Sequence, residues 1–488
     1  MNVCVIDVGT SSMRGILYNE KAEILFVHQI QYEVQYLSET EAEQDPADWK
    51  RALLEIGRKT AEFAAAKGIG VDALSLTSQR SSVIPVDREG TPLRPAIMWL
   101  DKRNASICEE LKDREAWIVS KTGARVNAIF SGSKMTWIRR REPEIYDKAY
   151  KLITIADYLA WLMTGEYKTD HTYGSRSGLM NIRTRQWDEE LLELYEIDRE
   201  KLCDLIAPGS VLGYTKEAFA RETGLAEGIP LVSAGGDQQC AALGMGVIEK
   251  GDMELTAGTG AFLLAYCDQL PEELKAEIIC GAHAVPGKYV LESSMLSCAS
   301  LYDWFKKQFY DPGEGYERIN REVESSPAGA GGCLVLPYFQ GRGTPDFNMK
   351  ASGSFHNLTL NTTRQDMARA VLEAIAFEAR NNIEVLEQYT GEARQLFISG
   401  GLTNFESFDQ IQADTYQKKL VKSSNPEQTS LGGLVSALTA LGTYGSYEEA
   451  LRAVKAGEQE KSYEPDPGQG RIYEKKRRQM KELYRKLY

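Results

Sequence analysis

The sequence predicts an α/β chain built as two related domains, and three observations carry that expectation. At 488 residues it exceeds what one ordinary hydrophobic core serves. A phrase of apolar strand, Gly-Thr turn and second strand opens the chain and returns in its second half. Each copy is followed by a long amphipathic helix and a further strand, the alternation of a helix-covered sheet.

The elements follow in order. VCVIDV (3–8) is a short apolar strand, GTSS turns the chain, RGILYN returns, and ILFVHQIQYEV alternates as a third strand. DPADWKRALLEIGRKTAEFAAAKG is an amphipathic helix stopped by Gly68, and VDALSLTSQ is the strand after it. In the second half MELTAGTGAFLLAYCDQ repeats strand, turn and strand, and GKYVLESSM adds another. Residues 362–391 space Met367, Val371, Ile375, Ala379 and Ile383 four apart, one buried helix face. RQLFISGG then reads as a strand and ESFDQIQADTY as a helix. Two βββ meanders arising by chance are the plainer alternative; the Gly and Thr shared by both turns weigh against it. A repeat of this size means two domains and not a solenoid. The boundaries fall at 1–246 and 247–450, with a charged tail, 451–488, ending in a terminal helix whose basic cluster reads as a solvated face.

Composition narrows the partners. The chain is 43% hydrophobic with a formal net charge of −13, which disfavours nucleic acid and anionic membrane surfaces. No stretch approaches the roughly 20 apolar residues of a membrane-spanning helix, and the start does not read as a signal peptide. Eight cysteines without a CxxC pair read as reduced thiols of a cytoplasmic protein. The four scattered histidines argue against a zinc site. A homodimer is the assembly allowed for.

Several strand ends could carry chemistry. Asp7-Val8-Gly9-Thr10-Ser11-Ser12 offers small residues whose backbone N–H groups can approach a phosphate, with an Asp suited to water-coordinated Mg²⁺. An ordinary β-turn capped by Asp is the other reading. Thr256-Ala257-Gly258-Thr259-Gly260 repeats those donors. Ser399-Gly400-Gly401-Leu402-Thr403-Asn404 could lay a flat base against glycine backbone, or be a tight strand-to-helix turn. Three such strand ends together favour a nucleotide cleft between the domains, and without GxxxxGK[ST] this is not a P-loop protein. Asp237, after PLVSAGG, could accept a proton from an alcohol or merely N-cap the helix QQCAALGMGV. Gln79-Arg80 and Trp99-Leu100-Asp101-Lys102-Arg103 supply an aromatic face and polar edges suited to a polyol, or form a salt-bridged surface turn.

In this order DVGTSS, SQR, MWLDKR, FSGSKMTW, GGDQQCAALG, TAGTG, ARAVLEAIAFEAR and SGGLTN resemble the FGGY carbohydrate kinases, from Met1 to about residue 450. The resemblance implies two actin-like (ribonuclease H-like) ATPase domains with an interdomain cleft, and transfer of the γ-phosphate of MgATP to a sugar or polyol. It implies Asp7 on Mg²⁺ and the phosphates, with Gly9, Thr10 and Ser11 in the first phosphate loop. Gly258, Thr259 and Gly260 would form the second, and Gly400, Gly401 and Asn404 would meet the nucleoside. Asp237 would be the base; Gln79, Arg80, Trp99, Asp101 and Gln238, with Asp237, would form the sugar site.

Within the family, GGDQQ, TAGTGAF and LEAIAF look like glycerol kinases. Those enzymes usually have Glu where this chain has Ser81 and Tyr where it has Ile129, groups that grip a triol. Trp99 to Arg103 resembles the WxDxR of ketose kinases such as xylulokinase, which usually carry Met-His in place of Arg80-Ser81. The expected acceptor is a ketopentose of xylulose or ribulose type, or a tetritol. The alternatives are a glycerol kinase-like or autoinducer kinase-like activity, and a non-catalytic actin-like nucleotide switch.

Overall fold

The computed structural model describes residues 1–488. The chain divides into two compact units. The first comprises Met1–Ile248, Asp268–Val290 and Glu427–Gly457; the second comprises Glu249–Cys267, Leu291–Pro426 and Glu458–Tyr488. Each unit therefore collects segments distant in sequence.

The first unit begins with β1 (Asn2–Val8), β2 (Ser12–Asn19), β3 (Ile24–Gln31), α1 (Pro46–Lys67) and β4 (Ala73–Ser78). After a run of short elements come β5 (Ser210–Tyr214), β6 (Pro230–Gly236) and α2 (Asp237–Met245). The sheet order is β5-β6-β4-β1-β2-β3. β1 pairs in parallel with β4, and β4 with β6; the outer strands are antiparallel. A central strand covered on both faces is apolar along its covered length, which is why residues 3–6 read as one unbroken run before Asp7 at the strand end. Cys4, Ile6 and Val8 enter one core with Trp49, Leu53 and Ile56 of α1, while Val3 and Val5 enter another. α1 is delimited by its own residues: Asp45 accepts from the Ala47 N–H, Pro46 occupies the first turn, and Gly68 ends it at φ 66°.

The second unit holds β7 (Asp252–Ala257), β8 (Ala261–Cys267), β9 (Tyr289–Met295, from Leu291 in this unit), α3 (Arg364–Thr390), β10 (Gln395–Ser399), α4 (Glu406–Tyr416) and β11 (Lys419–Ser423). The chain then supplies α5 (Gln428–Ala440) to the first unit before β12 (Glu460–Tyr463) and α6 (Pro467–Leu487) complete the second. The order β9-β8-β7-β10-β11-β12 has the succession of β3-β2-β1-β4-β6-β5, with the same parallel and antiparallel pairings at β7, β10 and β11. The repeated phrase in the sequence is thus a repeated topology. α3 opens on a capping box between Thr363 and Asp366 and buries Val371, Ile375, Ala379 and Ile383.

The basic tail differs from the expected solvated face. Arg478 stays 72% exposed, but Lys476 and Arg477 turn inward. Arg477 binds Asn381 and Glu384 of α3 at 2.8 Å each, and Lys476 donates to the Gly332 carbonyl at 2.8 Å. The apolar stripe Tyr473, Met480 and Tyr484 drags these stems along with it, so part of the cluster is spent on packing.

α5 reaches the first unit's core because glycines let it. It packs on α2, where a Cβ on Gly432 would lie 1.9 Å from the Cys240 carbonyl oxygen and one on Gly244 would lie 2.0 Å from that of Gln428. Gly432→Ala is expected to destabilise the protein by about 2–3 kcal/mol despite alanine's better helix propensity, since backbone must move apart. Gly313→Ala, where nothing lies within 4 Å, is the control. Urea unfolding midpoints of the two variants check this; equal midpoints would contradict it.

Candidate active site

Parallel strands end side by side, and ligands of such sheets sit beyond their carboxyl ends. Val8 of β1 pairs with Ser78 of β4, which pairs with Gly236 of β6. The residues leaving those ends are Gly9-Thr10, Gln79-Arg80 and Asp237-Gln238. The topology thus gathers three of the motifs noted in the sequence.

Asp7 lies opposite Arg14 in the β1–β2 pair, and the guanidinium donates to its carboxylate at 3.2 Å and to Glu427 at 2.8 Å. Burial pushes Asp7 up to about 6; Arg14 opposes this and the charge of Asp237 adds to it. Gly9 begins a tight turn, donating to the Ser12 carbonyl at 2.9 Å. Its own carbonyl is held by Gln79 Nε2 at 3.0 Å and the Tyr32 hydroxyl at 2.8 Å. Thr10 Oγ1 accepts from the Trp99 indole N–H at 3.1 Å.

Asp237 is the first residue of α2, and Gly236 occupies the cap position, so the N-cap role weighed for Asp237 does not arise. Its side chain is 29% exposed, with Arg80 Nε 3.4 Å away. The same guanidinium donates to Gln239 Oε1 at 3.2 Å. Gly236 makes this crossing possible: a Cβ there would lie 2.6 Å from Arg80 Cδ. Gly235 has φ +117°, which bends the strand end. Gln238 follows Asp237, partly exposed.

Other residues brace this strand end without having been foreseen. The Gly236 N–H donates to Thr172 Oγ1 at 2.8 Å, and the Tyr173 hydroxyl donates to the Gly235 carbonyl at 2.9 Å. Thr172 and Ser233 both donate to the buried Asp170 at 2.5 Å. Asp170-His171-Thr172 carries no motif, and only the fold brings it to β6. Gln239 stands out only as the second Gln of DQQ, and its bond to Arg80 spans 159 positions.

Asp101 is placed apart. Its side chain is fully buried, and its oxygens accept from the Ala42 N–H at 2.6 Å and Arg103 Nε at 2.9 and 3.0 Å. Arg103 also pairs with Glu43 at 2.7 Å. The Asp101–Arg103 pair therefore pins the turn carrying Trp99 and presents no open carboxylate edge. Lys134, wholly buried on the helix Ser131–Arg141, completes the mount by donating to the carbonyls of Trp99, Ala128 and Ile129. Burial pushes its amine down to about 7, against the pull of Asp101.

In the second unit β7 and β10 end in register at Thr256 and Ser399, whose hydroxyls bond at 3.0 Å. Gly258 donates to the Gly260 carbonyl at 2.9 Å, closing a turn that leaves the Thr259 side chain exposed. Thr259's carbonyl is fixed by the Cys298 N–H and Ser300 Oγ. Gly400 has φ +98°, and a Cβ there would lie 2.3 Å from the Ala257 carbonyl oxygen. Beside it Gly401 faces open space, and Asn404 is exposed at the end of the following single turn. Bare backbone with room above it accepts a planar group.

No group of three or more His, Cys, Asp or Glu is arranged to hold a metal ion. No helix is long and apolar enough to cross a membrane. Of the eight cysteines, all but Cys108 are buried.

Models of the N-terminal and C-terminal domains of the FGGY family of carbohydrate kinases match residues 2–244 and 253–441. Glycerol kinase 1 of Thermotoga maritima is 32% identical over 484 residues, 96% of each chain. The glycerol kinase of Burkholderia ambifaria is 32% identical, covering 92% of this chain and 91% of its own. Among solved structures, xylulose kinase of Rhodospirillum rubrum superposes with a TM-score of 0.94 at 25% identity, covering 100% of this chain and 99% of that one. Plasmodium falciparum glycerol kinase with ADP gives 0.89 at 26% identity, covering 100% and 97%.

Proposed function

Because this chain belongs to the FGGY family of carbohydrate kinases, phosphotransferases that act on alcohols, we propose that its acceptor is a ketopentose of xylulose or ribulose type, or a tetritol. The observation that carries the reading of the site is the meeting of Asp7, Arg80 and Asp237 at three adjacent strand ends.

Each residue then has a task. Asp237 accepts the proton of the attacking hydroxyl, being partly exposed and not consumed as a helix cap. Arg80, held by Gln239, steadies that carboxylate and donates to acceptor oxygens. Trp99 offers an apolar ring face and Gln238 a polar edge. Gly9, Thr10 and Ser11 serve the phosphates, as do Gly258, Thr259 and Gly260 of the second unit. Gly400, Gly401 and Asn404 serve the nucleoside.

Asp7 suits Mg²⁺: its charge is disfavoured by burial and by Asp237, and a divalent cation that keeps most of its waters and phosphate ligands needs only one such carboxylate. When bound, that ion would neutralise charge on the phosphates.

Substrate size turns on Ser81. It sits at φ +73°, buried, with its hydroxyl donating to the Arg176 carbonyl at 3.3 Å. No carboxylate reaches the acceptor from this position, and Ile129 is 42% exposed and brings no hydroxyl. Fewer fixed partners for a short triol favour a longer acceptor. The glycerol kinases among the relatives support the second reading, glycerol itself.

ADP release from MgATP, coupled to an optical signal, separates these readings across glycerol, erythritol, xylitol and both enantiomers of xylulose and ribulose. A four- or five-carbon acceptor is expected to exceed glycerol in kcat/KM by tenfold or more. Glycerol as the best acceptor would overturn the assignment of the substrate class while leaving the kinase intact.

A further inference from the structure

We propose that Trp99 is a positioning residue of the phosphate loop, its indole N–H setting the Thr10 hydroxyl as a donor to a nucleotide phosphate. This rests on the reading of Thr10 as a phosphate ligand.

An indole has one N–H and no acceptor. In Trp99 that donor is directed to Thr10 Oγ1 at 3.1 Å, so the side chain has only its ring face to offer an acceptor. The mount beneath the ring is rigid. Trp99's own N–H donates to Ser82 Oγ at 2.9 Å, its carbonyl accepts from the buried Lys134, and Asp101 fixes the turn two residues on. Thr10 therefore receives its hydrogen bond from a group whose position the first unit determines.

The consequence lies in the proton of Thr10. A hydroxyl that accepts on one side directs its own O–H elsewhere, and a bond received polarises the bond it gives. Thr10 is thereby prepared as a donor, the polarity a phosphate oxygen requires. Gly9 is treated alike, since Gln79 Nε2 and the Tyr32 hydroxyl hold its carbonyl at 3.0 and 2.8 Å. Two of the side chains expected to grip sugar, Gln79 and Trp99, thus each direct an N–H to the phosphate turn.

The test is Trp99→Phe, which keeps a ring face and removes the N–H, with Thr10→Val as the partner variant. Affinity for MgATP-γ-S is measured by calorimetry, with and without the best acceptor or, if none is found, xylitol. Trp99→Phe is expected to weaken the nucleotide about fivefold, the factor for one lost hydrogen bond. Thr10→Val should do the same, and the double variant should add little further. In turnover, Trp99→Phe should raise the KM for MgATP and lower kcat while leaving the acceptor KM within about twofold. A raised acceptor KM with unchanged nucleotide affinity would overturn the proposal, since the N–H would then serve the acceptor. Unchanged nucleotide affinity in both single variants would overturn it as well. Wild-type protein that binds nucleotide but phosphorylates nothing would instead count against the acceptor reading, and the calorimetric comparison would still decide the role of Trp99.

Discussion

Asp237→Asn is expected to reduce phosphoryl transfer by about 10²–10⁴-fold, the usual contribution of a positioned base, while MgATP binding stays within a small factor of wild type. Asparagine keeps the shape and can still lie beside Arg80, which retains Gln239. What it cannot do is take a proton. Steady-state kinetics with the best acceptor measure the loss, and calorimetry measures the retained binding. There is a second signature. The charge of Asp237 is one of the causes that hold Asp7 high, so its removal should move the acid limb of MgATP binding below about pH 6. Wild-type turnover in the variant would remove Asp237 from the chemistry.

Asp7→Asn should also lose activity, yet gain stability. Asp7 has an ordinary value of 3.8 when the chain is unfolded and about 6 when folded. The folded state thus binds the proton more tightly, and stability falls as pH rises from 3.8 through 6. Above that range the ionised, nearly buried carboxylate is a standing cost, of order 1–3 kcal/mol for a shift of this size. Asparagine removes the charge and leaves Arg14 paired with Glu427. Thermal melts at pH 8 should show a higher midpoint for the variant, and the gain should vanish near pH 4. A variant less stable than wild type at pH 8 would contradict the burial cost. A fully active variant would contradict the placement of Asp7 on the phosphates. Such a trade is what a site built for a charged ligand is expected to show.

The sheet and its main helices were legible because their burial is periodic. Residues 3–6 are all apolar since both faces of β1 are covered, and α1 and α3 carry their caps in sequence at Asp45, Gly68 and Thr363. The Gly-rich strand ends were legible for a related reason. Gly236 and Gly400 sit where a Cβ would strike Arg80 or the Ala257 carbonyl, and such constraints leave glycine as the trace.

What distance in sequence separates was not legible. The segment 427–457 joins the first unit through contacts of α5 with α2 that no local pattern announces. Asp170 and Thr172 stabilise the end of β6 from about sixty positions away. Spacing alone also could not separate an Asp that faces ligand from one that holds a turn. Asp237 and Asp101 each follow a strand near a polar cluster, yet one is 29% exposed and the other is locked by Arg103 and Ala42.

In a carbohydrate kinase phosphate goes to an alcohol and not to water. Phosphorus NMR of the protein with MgATP and the best acceptor from the panel tests it most directly. A new phosphomonoester resonance is expected to grow as the γ-phosphate signal falls, and to be absent when the acceptor is omitted. Inorganic phosphate alone, produced equally with and without acceptor, would contradict it.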